Sequence, residues 1–234
     1  MVFPLGDDDA DRQSTPIINY VLIAINILVF VFLQGLGTNE RFTYALSTIP
    51  FEIVTGRDVL VPTPISVYIT PITSMFMHGG IAHIAGNMLF LWIFGDNIED
   101  RLGHIRYLVF YLVCGVIASL AHVFATAAFA GDQQSMMIPS LGASGAISGV
   151  LGGYILLYPS RRVRVLLFNF LTAVPAYVAI GIWFLFQLIS GLGMLGQGSQ
   201  QGGVAYAAHI GGFIAGLVLI KFFDIGHGNR VQAY

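Results

Sequence analysis

Six stretches of the chain are almost wholly apolar, and the segments between them differ in character. The apolar runs extend from Ile17 to Leu36, Thr73 to Gly95, His104 to Ala130, Gly142 to Tyr158, Val174 to Leu195 and Val204 to Phe223. Crossing a bilayer as a helix takes roughly 17–25 predominantly apolar residues. The pattern therefore predicts an all-α membrane protein with six transmembrane helices. Residues 1–16 form a polar, acidic tail (Asp7, Asp8, Asp9, Asp11), 17–223 the membrane domain, and 224–234 a second tail. The first run follows an acidic segment, lacks a small-residue cleavage site and is long for a signal sequence, so it reads as a retained span.

The connections divide into three kinds. Gly37 to Ile72 contains Pro50, Pro62, Pro64 and Pro71 among apolar residues, which is too interrupted to span and too apolar for a solvated loop. It is expected to lie in the membrane interface. Gly191 to Gly203 is glycine-rich and uncharged, suited to a mobile lid or a flexible link. Arg161, Arg162 and Arg164 precede an apolar piece, Val165 to Thr172, whose membership in the fifth span is open. Eight of the ten Lys and Arg residues fall on one side of the predicted bundle, and Arg41 and Arg57 on the other. Because cytoplasmic loops retain the excess of basic residues, a cell-membrane protein with both termini cytoplasmic is expected. Spans two, four and six then start on the outer side.

Composition narrows the function classes. The chain has 234 residues, 56% of them hydrophobic and 9% charged, with mean hydropathy +0.79. Soluble domains carry about 25% charged residues, so a water-soluble fold is nearly excluded, and these 234 residues are expected to form one compact unit with no second soluble catalytic domain among them. A net charge of −2 leaves no basic surface for nucleic acid. The single cysteine, Cys114, rules out an internal disulfide framework and a thiolate cluster.

Three spans carry candidate chemistry at their outer ends. The fourth opens with Gly142-Ala143-Ser144-Gly145 and the sixth with Ala208-His209-Ile210-Gly211-Gly212. A serine becomes an attacking oxygen only when a base takes its proton, so adjacency of Ser144 and His209 is the decisive question. Gly145, Gly149, Gly152 and Gly153 on the fourth span, with Gly212 and Gly216 on the sixth, would let the two backbones approach closely. Taken alone these features also suit ordinary helix packing, with Ser144 a small polar residue and His209 an interfacial one. The second span adds His78, His83 and Asn87, the last two on one helical face. Polar groups inside a membrane need a partner or a wet cavity, and near a serine nucleophile they suit donation to an oxyanion together with the Ser144 N–H.

With these motifs in order, the chain resembles the rhomboid intramembrane serine proteases over nearly the whole six-span region. The resemblance rests on His78, His83 and Asn87, on Gly95-xxx-Glu99-xxx-Gly103, on Gly142-Ala143-Ser144-Gly145, and on His209-Ile210-Gly211-Gly212 with Gly216. It implies a rhomboid-like bundle with Ser144 as nucleophile, His209 as general base, His83 and Asn87 as oxyanion-stabilising side chains, and His78, Gly142 and Gly145 as organisers of the site. It also implies a lateral gate and cap formed by the fifth span and the Gly191 to Gly203 stretch. Some members carry an aromatic residue one turn after the nucleophile, where this chain has Ser148, so His209 is expected to be held by a hydrogen bond or other packing. Many carry a Trp-Arg pair in the first loop, where this chain reads Val67-Tyr68-Ile69-Thr70.

The only carboxylate between Arg106 and Lys221 is Asp132, in a loop, which points to a Ser-His dyad rather than a triad. Glu99 sits a helix length from Ser144 and reads as structural, packing with Arg101 and the loop backbone. The segment 142–146 lacks the second glycine of a hydrolase nucleophile elbow. No His-Glu-x-x-His is present, and His78 and His83 lack further ligands, so neither metal nor other cofactor is expected. His122 reads as structural. The expected partners are the bilayer and membrane-protein substrates whose transmembrane segments unwind easily, since a helix hides its amides in its own hydrogen bonds. The competing reading is a catalytically inactive rhomboid-like protein that binds membrane helices. A coupled transporter is disfavoured by weak internal symmetry.

Overall fold

The computed structural model describes residues 2–8, 10–129, 133–167, 170–196 and 206–225. Among these, six helices of twelve residues or more follow the six apolar runs: α1 Ile17–Leu28, α2 Ile81–Leu102, α3 His104–Phe129, α4 Ser144–Leu157, α5 Ala176–Gly196 and α6 Tyr206–Phe223. Helix α1 continues as a wider π turn over Val29–Leu33. Two helices, α3 and α6, are individually long and apolar enough to cross a bilayer. Val67–Phe76 and α2, bent by 81° at their break, meet the same measure only as a pair. The second apolar run is therefore not one straight helix from Thr73, because His78-Gly79-Gly80 interrupts it. Ile17–Leu33, Ser144–Leu157 and Ala176–Ile189 are apolar but shorter. Large apolar side chains such as Phe32, Trp92, Phe124, Phe186 and Phe222 are exposed around the outside, the surface a lipid environment covers.

Helix α4 is the centre of the bundle. Every residue from Gly145 to Tyr154 is buried, and α6, α3 and α2 pack around it. The contact with α6 is backbone to backbone: a Cβ at Gly212 would strike the Gly145 carbonyl, one at Gly216 the Gly149 carbonyl, and one at Gly152 the Phe213 carbonyl. On the α3 side, a Cβ at Gly149 would fall 2.5 Å from the Cβ of the buried Cys114. Without side chains between them, dispersion and weak polar contacts hold the two backbones at a distance that larger residues would forbid.

Helices dominate as expected, but a small sheet accompanies them. Strands β1 Val2–Gly6, β2 Arg162–Leu167 and β3 Phe170–Pro175 form an antiparallel sheet in the order β1-β2-β3. Residues 165–167 and 170–172 thus belong to the paired strands β2 and β3 and not to the fifth span. The alternation Arg162-Val163-Arg164-Val165 explains this, because Val163 and Val165 are buried while the arginines point away, a period of two that suits a strand.

The ends of α1, α2, α4 and α6 remote from Ser144 are joined by polar contacts. Helix α1 has no side-chain cap of its own. The fully buried carboxylate of Glu99 on α2 accepts the N–H groups of Ile18 (2.9 Å) and Asn19 (2.7 Å) and meets His104 Nδ1 at 2.5 Å. An acceptor carrying negative charge at a helix N-terminus satisfies orphan amides and complements the helix dipole. Glu99 is structural as expected, but its partners are α1 and His104. Arg101 instead grips Asp224 in a two-pronged pair of 2.6 and 2.9 Å. Ahead of α1, Arg12 pairs with Asp96, Ser14 donates to Asp100, and Tyr154 and Asn97 donate to the buried Asp7.

The segment between α1 and α2 folds into short helices, including Glu40–Ala45 and Pro50–Thr55. Buried Glu52 accepts the N–H groups of Val59 and Leu60 and so closes the proline-rich loop. Gly191 to Gly196 continue α5, and residues 197–203 of the glycine-rich stretch lie outside the described residues.

Candidate functional site

Ser144 is the first residue of α4 and His209 lies in the first turn of α6. The close approach of the two glycine-lined backbones brings Ser144 Oγ to 2.8 Å from His209 Nε2. The other ring nitrogen, Nδ1, is 2.9 Å from Gln187 Oε1 on α5. Trp183, one turn earlier on α5, places its ring 6.1 Å from the imidazole, and Tyr206 stands edge-on to it at 6.5 Å. Ser148 does not hold His209. Its hydroxyl donates back to the Ser144 carbonyl at 2.6 Å, and the support comes from Gln187 with the flanking aromatic rings.

The pair opens into a cavity of about 510 Å³ whose walls include His83, Asn87 and Phe90 of α2, Ile147 of α4, and Trp183 and Gln187 of α5. That volume lies in the range of small-molecule and cofactor sites. His83 Nδ1 accepts the Gly79 N–H at 3.3 Å, which leaves the ring proton on Nε2. Asn87 is buried, and its Nδ2 has no hydrogen-bond partner among the described residues. Both donors converge on Gly142: a Cβ there would lie 2.8 Å from His83 Nε2 and 3.5 Å from Asn87 Nδ2. Gly142 also holds φ at +118°, a conformation side chains disfavour. Glycine thus keeps open a hollow beside Ser144 toward which two side-chain donors point. The Ser144 N–H, at the start of α4, has no acceptor within its own helix. Gly145 contributes on the opposite side, where a Cβ would fall 2.7 Å from that of Ala118.

His78 does not reach Ser144. Its backbone is held on both sides by Gln34, which accepts its N–H at 3.0 Å and donates to its carbonyl at 2.9 Å. Its buried ring stands edge-on to His83 at 5.2 Å and to Phe30 at 6.5 Å, so it abuts the donor and not the nucleophile. The approach to Ser144 is anchored by the first loop. Thr48 and Ser140 exchange backbone hydrogen bonds, and Gly142 N–H donates to the Ser74 carbonyl at 2.8 Å. Asp132 lies outside the described residues.

Gln187, Gln34, Thr48 and Ser74 escaped the sequence reading. For Gln187 a signal existed: it is the one carboxamide in an apolar helix, and a polar group at such a position needs a partner. The other three sit near loops, where polar residues carry no such signal.

Comparison with known proteins identifies the family of the chain. The Rhomboid domain family matches residues 66–223. The chain is 32% identical over 218 residues to Rhomboid protein 1, mitochondrial, of Saccharomyces cerevisiae, covering 92% of this chain and 56% of that protein. It is 29% identical over 208 residues to Rhomboid protease GluP of Bacillus subtilis, with 88% and 34% covered. It is 30% identical over 204 residues to the human Presenilin-associated rhomboid-like protein, mitochondrial, with 86% and 47% covered. The chain spans between a third and somewhat over half the length of these relatives.

Proposed function

The chain belongs to the rhomboid family of membrane proteins, and from that premise we propose that it is an intramembrane serine endopeptidase with a Ser144–His209 dyad. One observation carries this reading: the hydroxyl and the imidazole are at hydrogen-bond distance inside an open cavity. Ser144 Oγ attacks a peptide carbonyl carbon while its proton passes to His209 Nε2. The resulting oxyanion is received by the Ser144 N–H, His83 Nε2–H and Asn87 Nδ2–H in the hollow kept by Gly142, as preorganised donors receive developing charge. His78 backs the His83 ring. Collapse breaks the C–N bond, and the imidazolium returns its proton to the leaving amine. Water then attacks the acyl ester, again giving its proton to His209, and releases the carboxylic acid and Ser144.

The substrates in this reading are transmembrane segments of other membrane proteins, entering from lipid beside α5 and unwinding at Gly, Pro or small polar residues. Six spans, a cell-membrane location and cytoplasmic termini are the arrangement that the apolar runs and the basic-residue count support. Helix α4 has 14 residues, about 21 Å at 1.5 Å per residue. That is shorter than a hydrocarbon core of about 30 Å, so Ser144 can sit below the outer surface while water reaches it through the cavity.

The test is labelling of the purified protein by a serine-directed covalent inhibitor, with cleavage of a helix-destabilised transmembrane substrate in proteoliposomes, each compared with Ser144→Ala. Labelling and cleavage that vanish in the variant are expected. Intact binding of membrane helices with neither labelling nor cleavage would favour the inactive binding protein instead.

A further inference from the structure

Within the proposed dyad, His209 touches a second polar side chain besides Ser144. Gln187 Oε1 stands 2.9 Å from His209 Nδ1, on the side of the ring opposite the serine. We propose that Gln187 is the positioning residue of the dyad: its carbonyl oxygen holds the imidazole proton on Nδ1 and leaves the Nε2 lone pair facing Ser144. This rests on the protease reading for its catalytic meaning.

A neutral imidazole carries one ring proton, and the partner of one nitrogen decides which atom holds it. A proton on Nε2 would be donated to Ser144 Oγ, and the ring could then take nothing from the hydroxyl. A carbonyl oxygen only accepts, so at Nδ1 it selects the tautomer a base requires. In soluble serine proteases a buried carboxylate fills this place and also stabilises the imidazolium. Among the described residues, Ser144 on α4, His83 on α2, His122 on α3 and Tyr206 on α6 are the titratable or hydroxyl groups that face His209. None of these is a carboxylate. The carboxamide therefore supplies orientation without burying a negative charge in an apolar helix, which is expensive in a membrane. Because Gln187 belongs to α5, alignment of the base also depends on the position of that helix against α6.

The experiment uses the full chain in proteoliposomes and reads kcat and KM against pH, together with the ¹⁵N spectrum of histidine-labelled protein, His209 being assigned by comparison with His209→Ala. Gln187→Met has similar length and no strong acceptor. It is expected to lower kcat by at least about tenfold, the scale of one lost hydrogen bond, with KM nearly unchanged and the Nδ1–H signature of His209 lost. Gln187→Glu retains an acceptor and is expected to recover most of kcat at alkaline pH. Its carboxylate stabilises the imidazolium, so His209 stays protonated to higher pH and the acidic limb moves up by about one unit or more. A residue that merely packs would move neither tautomer nor limb.

Wild-type kcat and tautomer in Gln187→Met, or an unmoved limb in Gln187→Glu, would overturn the proposal. A wild-type protein that neither labels nor cleaves, yet shows a Gln187-dependent Nδ1–H signal, would overturn the protease reading and leave this placement of the proton standing.

Discussion

Gly216 of α6 lies directly against the carbonyl of Gly149 on α4, with no room for a methyl group between them. Gly212 meets Gly145 in the same way one turn nearer the site. Together these contacts set the distance between Ser144 and His209. Gly216→Ala is expected to destabilise the protein by about 1–3 kcal/mol through overpacking, and to weaken Ser144 labelling in the fraction that remains folded. A thermal-unfolding series combined with inhibitor labelling checks both. Unchanged stability would mean that the helices separate without penalty.

Gly142→Ala introduces a methyl group into the hollow next to His83 Nε2 and requires a φ that alanine disfavours. Loss of oxyanion stabilisation lowers turnover by about 100–1,000-fold in comparable sites, and a fall of that order in kcat is expected here. Steady-state cleavage in proteoliposomes measures it. Near-wild-type turnover would show that the oxyanion lies elsewhere.

Glu99→Ala removes the acceptor shared by the Ile18 and Asn19 amides and His104. Leaving buried donors unsatisfied costs about 1–3 kcal/mol each, so a marked drop in the unfolding temperature is expected. From His83 to Glu99 is about 24 Å along α2 at 1.5 Å per residue. The kcat of folded Glu99→Ala is therefore expected to match that of the wild type, and a selective loss of kcat would give Glu99 a part in the chemistry.

Asp132→Ala is expected to retain most activity, because the proposed mechanism needs no carboxylate beside His209. Loss comparable to that of Ser144→Ala, measured in the same cleavage assay, would replace the dyad with a triad.

Much of the bundle was readable from local pattern. Long apolar runs leave a backbone in lipid little choice but to form helices, and the six long helices fall on the six runs. The pairing of glycines across α4 and α6 was readable as well, because small residues at four-residue spacing mark a face that admits another backbone. The pairing of β2 with β3 was not. Val165 to Thr172 is as apolar as the helix after it, and its period of two emerges only when Arg162 and Arg164 are included and β1 is available to pair.

Residue types and their spacing along single helices were enough to nominate Ser144, His209, His83 and Asn87, since polar groups stand out in an apolar chain. Tertiary packing alone decided which of them meet. It set the 2.8 Å approach of Ser144 to His209, gave Gln187 rather than Ser148 the far side of the imidazole, and aimed His83 and Asn87 at Gly142. These contacts join residues 65 and 22 positions apart in the first two cases. Helical periodicity relates residues only a few turns apart on one segment, whereas the rotation and depth of one helix against another follow from the summed packing of every side chain between them.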